Sequence, residues 1–186
     1  PADAREALWA LFAFHHEIAK TRDVVSDATL GHIRLRWWGD EIARIYEGRA
    51  VTPHEILAPL AEAISAHDLP QGEFETLIEA RGFDLDAEAP ANLEGLLNYA
   101  EFTSAPLLRL AVKVTGDDPA LEPVEPVAVN YALAGILRSL PRREDLVPAD
   151  LMARHGAIVP ELVEEIAAAH VTGVKPESGL LRAADA

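Results

Sequence analysis

Between its prolines and glycines, almost every stretch of this chain repeats apolar residues at i, i+3, i+4 and i+7, and none alternates like a strand. That period gathers one apolar stripe on an α-helix, whereas a strand built from the same residues would mix both faces. The fold class is therefore all-α. The first helix is expected to run from about Asp3, a capping residue, through Leu8, Leu11, Phe12 and Ile18 towards Val25. The second takes in "IRLRWWGDEIARIYEG", stops near Gly48 and completes a helical hairpin. Pro53 opens "HEILAPLAEAISAH", Pro70 precedes "GEFETLIEARGFDL", and "ANLEGLLNYAEFTSAPLLRLAVKVTG" reads as one long helix bent at Pro106. The connector "DDPALEPVEP" leads into "VAVNYALAGILRSL"; "PRREDLVP" then breaks the pattern, and shorter helices follow. With no repeat and no sign of a second domain, residues 1–186 read as a single helical domain, with a loosely attached tail from about residue 173.

Charge and residue usage remove several function classes. With 31 acidic against 16 basic residues, the formal charge of −15 repels phosphate backbones over most of the surface, so nucleic acid is not an expected partner. The absence of cysteine excludes disulfides and thiolate metal sites. The run "LWALFAF" is far too short to span a bilayer, and a cytoplasmic protein with at most peripheral membrane contact is expected. Phosphate loops, zinc-protease patterns, nucleophile elbows and basic recognition helices are all lacking.

Asp23 and Asp27, four apart on a presumed helix, share a face and could bind one ion group through oxygen ligands. An acidic pair at a helix end also has an ordinary reading as a solvated surface. The adjacent His15 and His16 point about 100° apart on a helix and suit packing or exposure better than a shared metal. Trp37 and Trp38 read as core anchors, with one free to line a pocket. Arg138, Arg142 and Arg143 make one helix end positive; they could hold a phosphate or simply oppose the helix dipole. Asp84 and Asp86, after Gly82, read as loop residues, and Glu101 and Asn98 as solvent-facing.

In order along the chain, several segments resemble the squalene/phytoene synthase family. "LWALFAFHHEIAKTRDVVSD" is similar to its first aspartate-rich helix, "RLRWWGDEI" to the tryptophan-containing helix after it, and "PHEILAPLAEAI" to the next. "GFDLDAEAPANLEGLLNYAEFTSAPLLRLA" resembles the segment that carries a Val-Ala-Gly pattern in the family, and "YALAGILRSL" the helix ending in Ile-Leu-Arg-Asp. "LVPADLMARHG" resembles a downstream Tyr-Leu-Pro segment. The resemblance implies a helical bundle of the isoprenoid synthase type with a central cleft. It further implies head-to-head joining of two prenyl diphosphates, with magnesium bridging the diphosphate to two facing acidic clusters.

The chain departs from that pattern where the chemistry resides. Aligned from "FAF", the first family aspartate falls on Ala19 and the second on Asp23; a one-turn slip puts the pair on Asp23 and Asp27. A supporting arginine becomes His16. At the second cluster Ser139 replaces an aspartate, and Arg143 and Glu144 stand where further aspartates are expected. Thr103, Ser104 and Ala105, followed by Pro106 and Leu107, replace the small pattern and would narrow a prenyl channel. The favoured expectation is a degenerate member, close to the branch of respiratory complex I assembly factors, that needs no cofactor. It would bind a partner protein or a prenyl or lipid phosphate, using Arg138, Arg142 and Arg143 at the mouth of a cleft lined by Phe12, Trp37 and Leu133. The alternative is an active magnesium-dependent prenyltransferase with metal ligands Asp23 and Asp27, which are also the only catalytic candidates, and a second site at Asp84 or Glu144.

Overall fold

The computed structural model describes residues 2–86, 88–120 and 123–169. The fold is all-α: among the described residues the regular structure is helical throughout. Backbone contacts divide the chain into two compact units, Pro1–Glu88 with Phe102–Asp117, and Ala89–Glu101 with Asp118–Ala186. The tail expected from about residue 173 lies outside the described residues.

The first unit contains α1 (Ala2–Ala19), α2 (Thr21–Val24), α3 (Ala28–Tyr46), α4 (Leu57–His67), α5 (Gln71–Ala80), α6 (Phe83–Asp86) and the later part of α7 (Leu93–Thr115). Helix α3 shows how the period builds the core. Gly31, Leu35, Trp38 and Ile42 fall on one stripe and are all buried. Phe14 meets Trp38 and Phe74 edge-on, each at 5.5 Å between ring centres, and all three rings are fully enclosed. Gly31 is required by close approach: a Cβ there would lie 2.5 Å from a methyl of Leu85, which α6 lays against α3. Helix α3 ends at Tyr46, and Gly48 turns the chain with φ +66°.

Two boundaries differ from expectation. The first helix stops at Ala19 rather than Val25; after Lys20 comes only the single turn of α2, and Val25 is extended. The cause lies downstream. Asp27 is the N-cap of α3, with an extended backbone (φ −154°) and a carboxylate that accepts from the Leu30 N–H at 3.0 Å. A residue capping the next helix cannot continue the previous one. Similarly, α4 begins at Leu57, not after Pro53. The intervening residues are held by side chains: buried Glu41 accepts from Thr52 N and Thr52 Oγ1 at 2.8 and 2.7 Å, and His54 Nδ1 accepts from Ile56 N at 3.2 Å.

The second unit contains the start of α7, α8 (Val124–Ser139), a 3₁₀ turn (Glu144–Leu146), α9 (Ala149–His155) and α10 (Pro160–Ala168). Its own core joins Leu96, Ala100, Leu133, Ile136, Leu151, Leu162 and Ile166. The first N–H groups of α9 find partners outside the helix, with Ala149 N donating to Pro90 O at 2.8 Å and Asp150 N to Ala91 O at 3.2 Å. Helix α7 continues through Pro106 and belongs to both units. Among the described residues no helix is long and apolar enough to cross a membrane.

Candidate functional site

The acidic end expected at Asp23 and Asp27 does not form the shared helical face that their spacing suggests. Asp23 is exposed on α2, and Asp27 is exposed and capping α3, so the break at Val25–Ser26 separates them and removes Ala19 from any common stripe. What Asp27 does share is a small cavity of about 170 Å³, whose lining includes Arg22, Ser26, Asp84 and Leu85. Asp84 is not a loop residue as expected. It lies in α6 and is buried, with its carboxylate 3.3 Å from Arg81 Nη1. Of the two carboxylates of this cavity, Asp84 is paired with Arg81 and Asp27 already accepts from a backbone amide. Among the described residues no three His, Asp or Glu side chains are grouped so as to hold a metal ion.

A buried polar cluster next to this cavity escaped the sequence reading. His15 Nε2 lies 3.1 Å from Arg81 Nη2 and 3.2 Å from the Thr103 carbonyl oxygen, tying α1 to the α5–α6 junction and to α7. One ring nitrogen cannot accept from Arg81 and donate to Thr103 at once, so the neutral ring serves one of them at a time. Burial, then the nearby Arg81, lower the His15 pKa from 6.5 to about 4, against the opposing effect of the Thr103 carbonyl. Its neighbour His16 is exposed. The signal in the sequence was faint: Asp84, which pairs with Arg81, stands between the apolar Phe83 and Leu85.

At the basic end, in the second unit, Ser139 closes α8 and its hydroxyl donates back to the Ile136 carbonyl at 2.8 Å. Arg138 and Arg142 are exposed. Arg143, expected to join them, instead grips Asp145 through Nε and Nη2 at 3.0–3.2 Å, two residues along the chain. Glu144 is exposed at the start of the 3₁₀ turn. Of the expected apolar lining, Phe12 is 48% exposed on α1, Trp37 packs against the first core beside Trp38 and His54, and Leu133 is buried within the second core. A larger groove of about 690 Å³ lies between the end of α3 and α4, lined by residues including Tyr46, Val51, Ala61 and Asp68, and holds none of the expected site residues. Tyr46 donates to the Leu69 carbonyl at 2.7 Å there, and burial, with Asp68 and Glu75 nearby, raises its pKa.

Residues 1–177 match the family model for squalene/phytoene synthase. The chain is 32% identical over 163 residues to NADH dehydrogenase (ubiquinone) complex I, assembly factor 6 of Bos taurus, covering 84% of this chain and 48% of that protein. It is 27% identical over 117 residues to presqualene diphosphate synthase of Rhodopseudomonas palustris, covering 62% of this chain and 41% of that enzyme. The chain thus spans about half the length of the curated relatives it matches. In fold it is similar to the crystal structure of squalene synthase HpnC from Alicyclobacillus acidocaldarius, with TM-score 0.69 and 23% identity over 90% of this chain and 63% of that one.

Proposed function

Since the chain belongs to the squalene/phytoene synthase family, we propose that it retains the family's helical scaffold as a non-catalytic binding protein of the assembly-factor kind. The observation that carries this reading is Ser139, which stands where the family pattern has an aspartate. Its hydroxyl is committed to the Ile136 carbonyl, and as a neutral group it does not supply the negative charge that a carboxylate brings to a hard dication. The other end supports the same reading, because Ala19 offers no ligand and Asp27 is engaged by Leu30. The residues present do not fit the paired carboxylate clamp through which the family holds magnesium. The ligand we propose is a prenyl or lipid phosphate whose head group is bound by Arg138 and Arg142, since guanidinium groups hydrogen-bond phosphate oxygens without a metal. Arg143 contributes little, being paired with Asp145.

Calorimetric titration of a farnesyl phosphate analogue tests this. Binding is expected to persist in chelator and to fall roughly tenfold or more in Arg138→Ala/Arg142→Ala. It is expected to be unchanged in Asp23→Asn and in Asp27→Asn, which keeps a capping oxygen. Absence of binding under every condition removes the lipid ligand and leaves a protein partner. The similarity to presqualene diphosphate synthase favours a second reading, an active magnesium-dependent head-to-head transferase. Robust product from labelled farnesyl diphosphate with magnesium and NADPH, abolished by Asp23→Asn, would establish that reading and overturn the first.

A further inference from the structure

Helix α3 carries more apolar surface than its own unit covers. Gly31, Leu35, Trp38 and Ile42 lie buried on one stripe, and an ordinary surface helix is polar on the face that remains. Here Leu30, Ile33 and Trp37, at i, i+3 and i+7, make a second apolar stripe. Leu30 is 47% and Ile33 60% exposed, and Trp37 is half-buried against Trp38 and His54. A continuous apolar stripe of this kind, unlike residues scattered singly, marks a contact surface.

The charged side chains of α3 indicate what covers it. Four are engaged within the first unit: His32 Nε2 lies 3.1 Å from Asp86 Oδ1, Arg34 Nη2 2.7 Å from Glu17 Oε2, Glu41 holds Thr52, and Arg44 Nη1 is 3.8 Å from Glu41 Oε1. Arg36 and Asp40 differ. Both are exposed, and among the described residues neither has an ion-pair partner, nor do they pair with each other although one turn apart. They follow Ile33 by three and seven positions and so border the apolar stripe. An arginine and an aspartate set symmetrically about one point of a helix are self-complementary. A two-fold axis through the helix surface midway between them lays a second α3 antiparallel on the first, and Arg36 of each copy then meets Asp40 of the other. Ile33 and Trp37 of both copies are covered beside that axis. A patch of one sign would call for a different protein, whereas this one is completed by a second copy. We propose that the exposed face of α3 is a homodimer contact, formed by antiparallel packing against α3 of a second copy of this chain. Confined to one helix pair, the contact falls at the small end of specific interfaces, and a reversible dimer with Kd of about 1–100 μM is expected. It does not involve Arg138 or Arg142 and holds whichever ligand they bind.

Sedimentation velocity of the full chain at rising concentration tests this. A reversible monomer–dimer equilibrium is expected, weakened roughly tenfold or more by Ile33→Asp, which puts a charge into the apolar contact at an exposed position that the fold does not need. Asp40→Arg sets like charges against each other at two symmetric places and should weaken the dimer about tenfold or more, although it makes each copy less negative. Arg36→Glu should weaken it as well, and an equimolar mixture of these two variants should recover dimers, because each supplies the charge that the other lacks. A wild-type chain that stays monomeric up to about 1 mM overturns the proposal. So does association that Ile33→Asp leaves unchanged. A dimer strengthened by Asp40→Arg also overturns it, since net charge alone would then govern association.

Discussion

His15 offers a test of the buried cluster that needs no ligand. In the folded chain its pKa is lowered to about 4 by burial and then by Arg81, whereas an unfolded histidine titrates near 6.5. At about pH 7 the ring is neutral in both states. On acidification the unfolded chain takes up the proton first, so stability falls between about pH 6.5 and pH 4 and this contribution levels off below. From about pH 7 to pH 5 the two titration curves together imply a loss of about 2 kcal/mol, out of a total stability of about 5–15 kcal/mol for a domain. The mechanism is specific: a protonated ring can no longer accept from Arg81 and sets a second cation 3.1 Å from it. His15→Gln is the informative replacement, because its amide oxygen can accept from Arg81 while its nitrogen donates to Thr103 at every pH. Urea unfolding at about pH 7, 6 and 5 can be followed by fluorescence, since Trp9, Trp37 and Trp38 all lie in the unit that holds His15. The wild type is expected to lose about 2 kcal/mol over this range and His15→Gln less than about 0.5 kcal/mol from the same source. An equal loss in both proteins would refute the assignment.

Glu41 gives a contrasting dependence. Burial pushes its carboxyl up, but two hydrogen bonds from Thr52 and the charge of Arg44 outweigh this and hold it below the ordinary carboxylate range. Its stabilisation is therefore present above that range and lost as pH falls through it. Glu41→Ala should cost about 2–4 kcal/mol at neutral pH by leaving Thr52 N–H without its partner, and Glu41→Gln clearly less, as chemical denaturation would measure. Gly31→Ala should cost about 1–3 kcal/mol by driving a methyl into Leu85. In Gly31→Ala/Leu85→Ala the combined loss should fall short of the sum of the single losses, a coupling read from the same unfolding curves.

The helices were legible in the sequence because their stripes are continuous. Leu35, Trp38 and Ile42 reach the core as their spacing predicts, and Gly48 ends α3 as expected. The boundary at Asp27 was not, because periodicity carries the apolar pattern past Ile18 while a cap is decided by one side-chain bond to one amide. The expected loop at Asp84 failed for a related reason. Helix α5 does end just before Gly82, yet Leu85 has a seat against Gly31 that only the packed helix reveals. The His15 cluster joins residues up to 88 positions apart, and no local pattern announces such a meeting.

The acidic pair shows how much a motif depends on the backbone beneath it. On a continuous helix, residues four apart are neighbours and two carboxylates can act on one ligand. Here Val25 is extended and Ser26 and Asp27 begin a new element, so the same spacing places Asp23 on one element and Asp27 at the head of another. Asp27 then gains a local function that needs only an oxygen acceptor at the N-terminus of α3, where a carboxylate also meets the positive end of the helix dipole. Ser139 repeats the situation at the end of α8, its hydroxyl returned to the carbonyl three residues back. Both positions serve the backbone, so replacement by another capping side chain at Asp27 or a small polar one at Ser139 leaves the helices intact. Ligand chemistry in this chain is therefore more economically sought at side chains with exposed charge, and Arg138 and Arg142 are exposed at the end of α8.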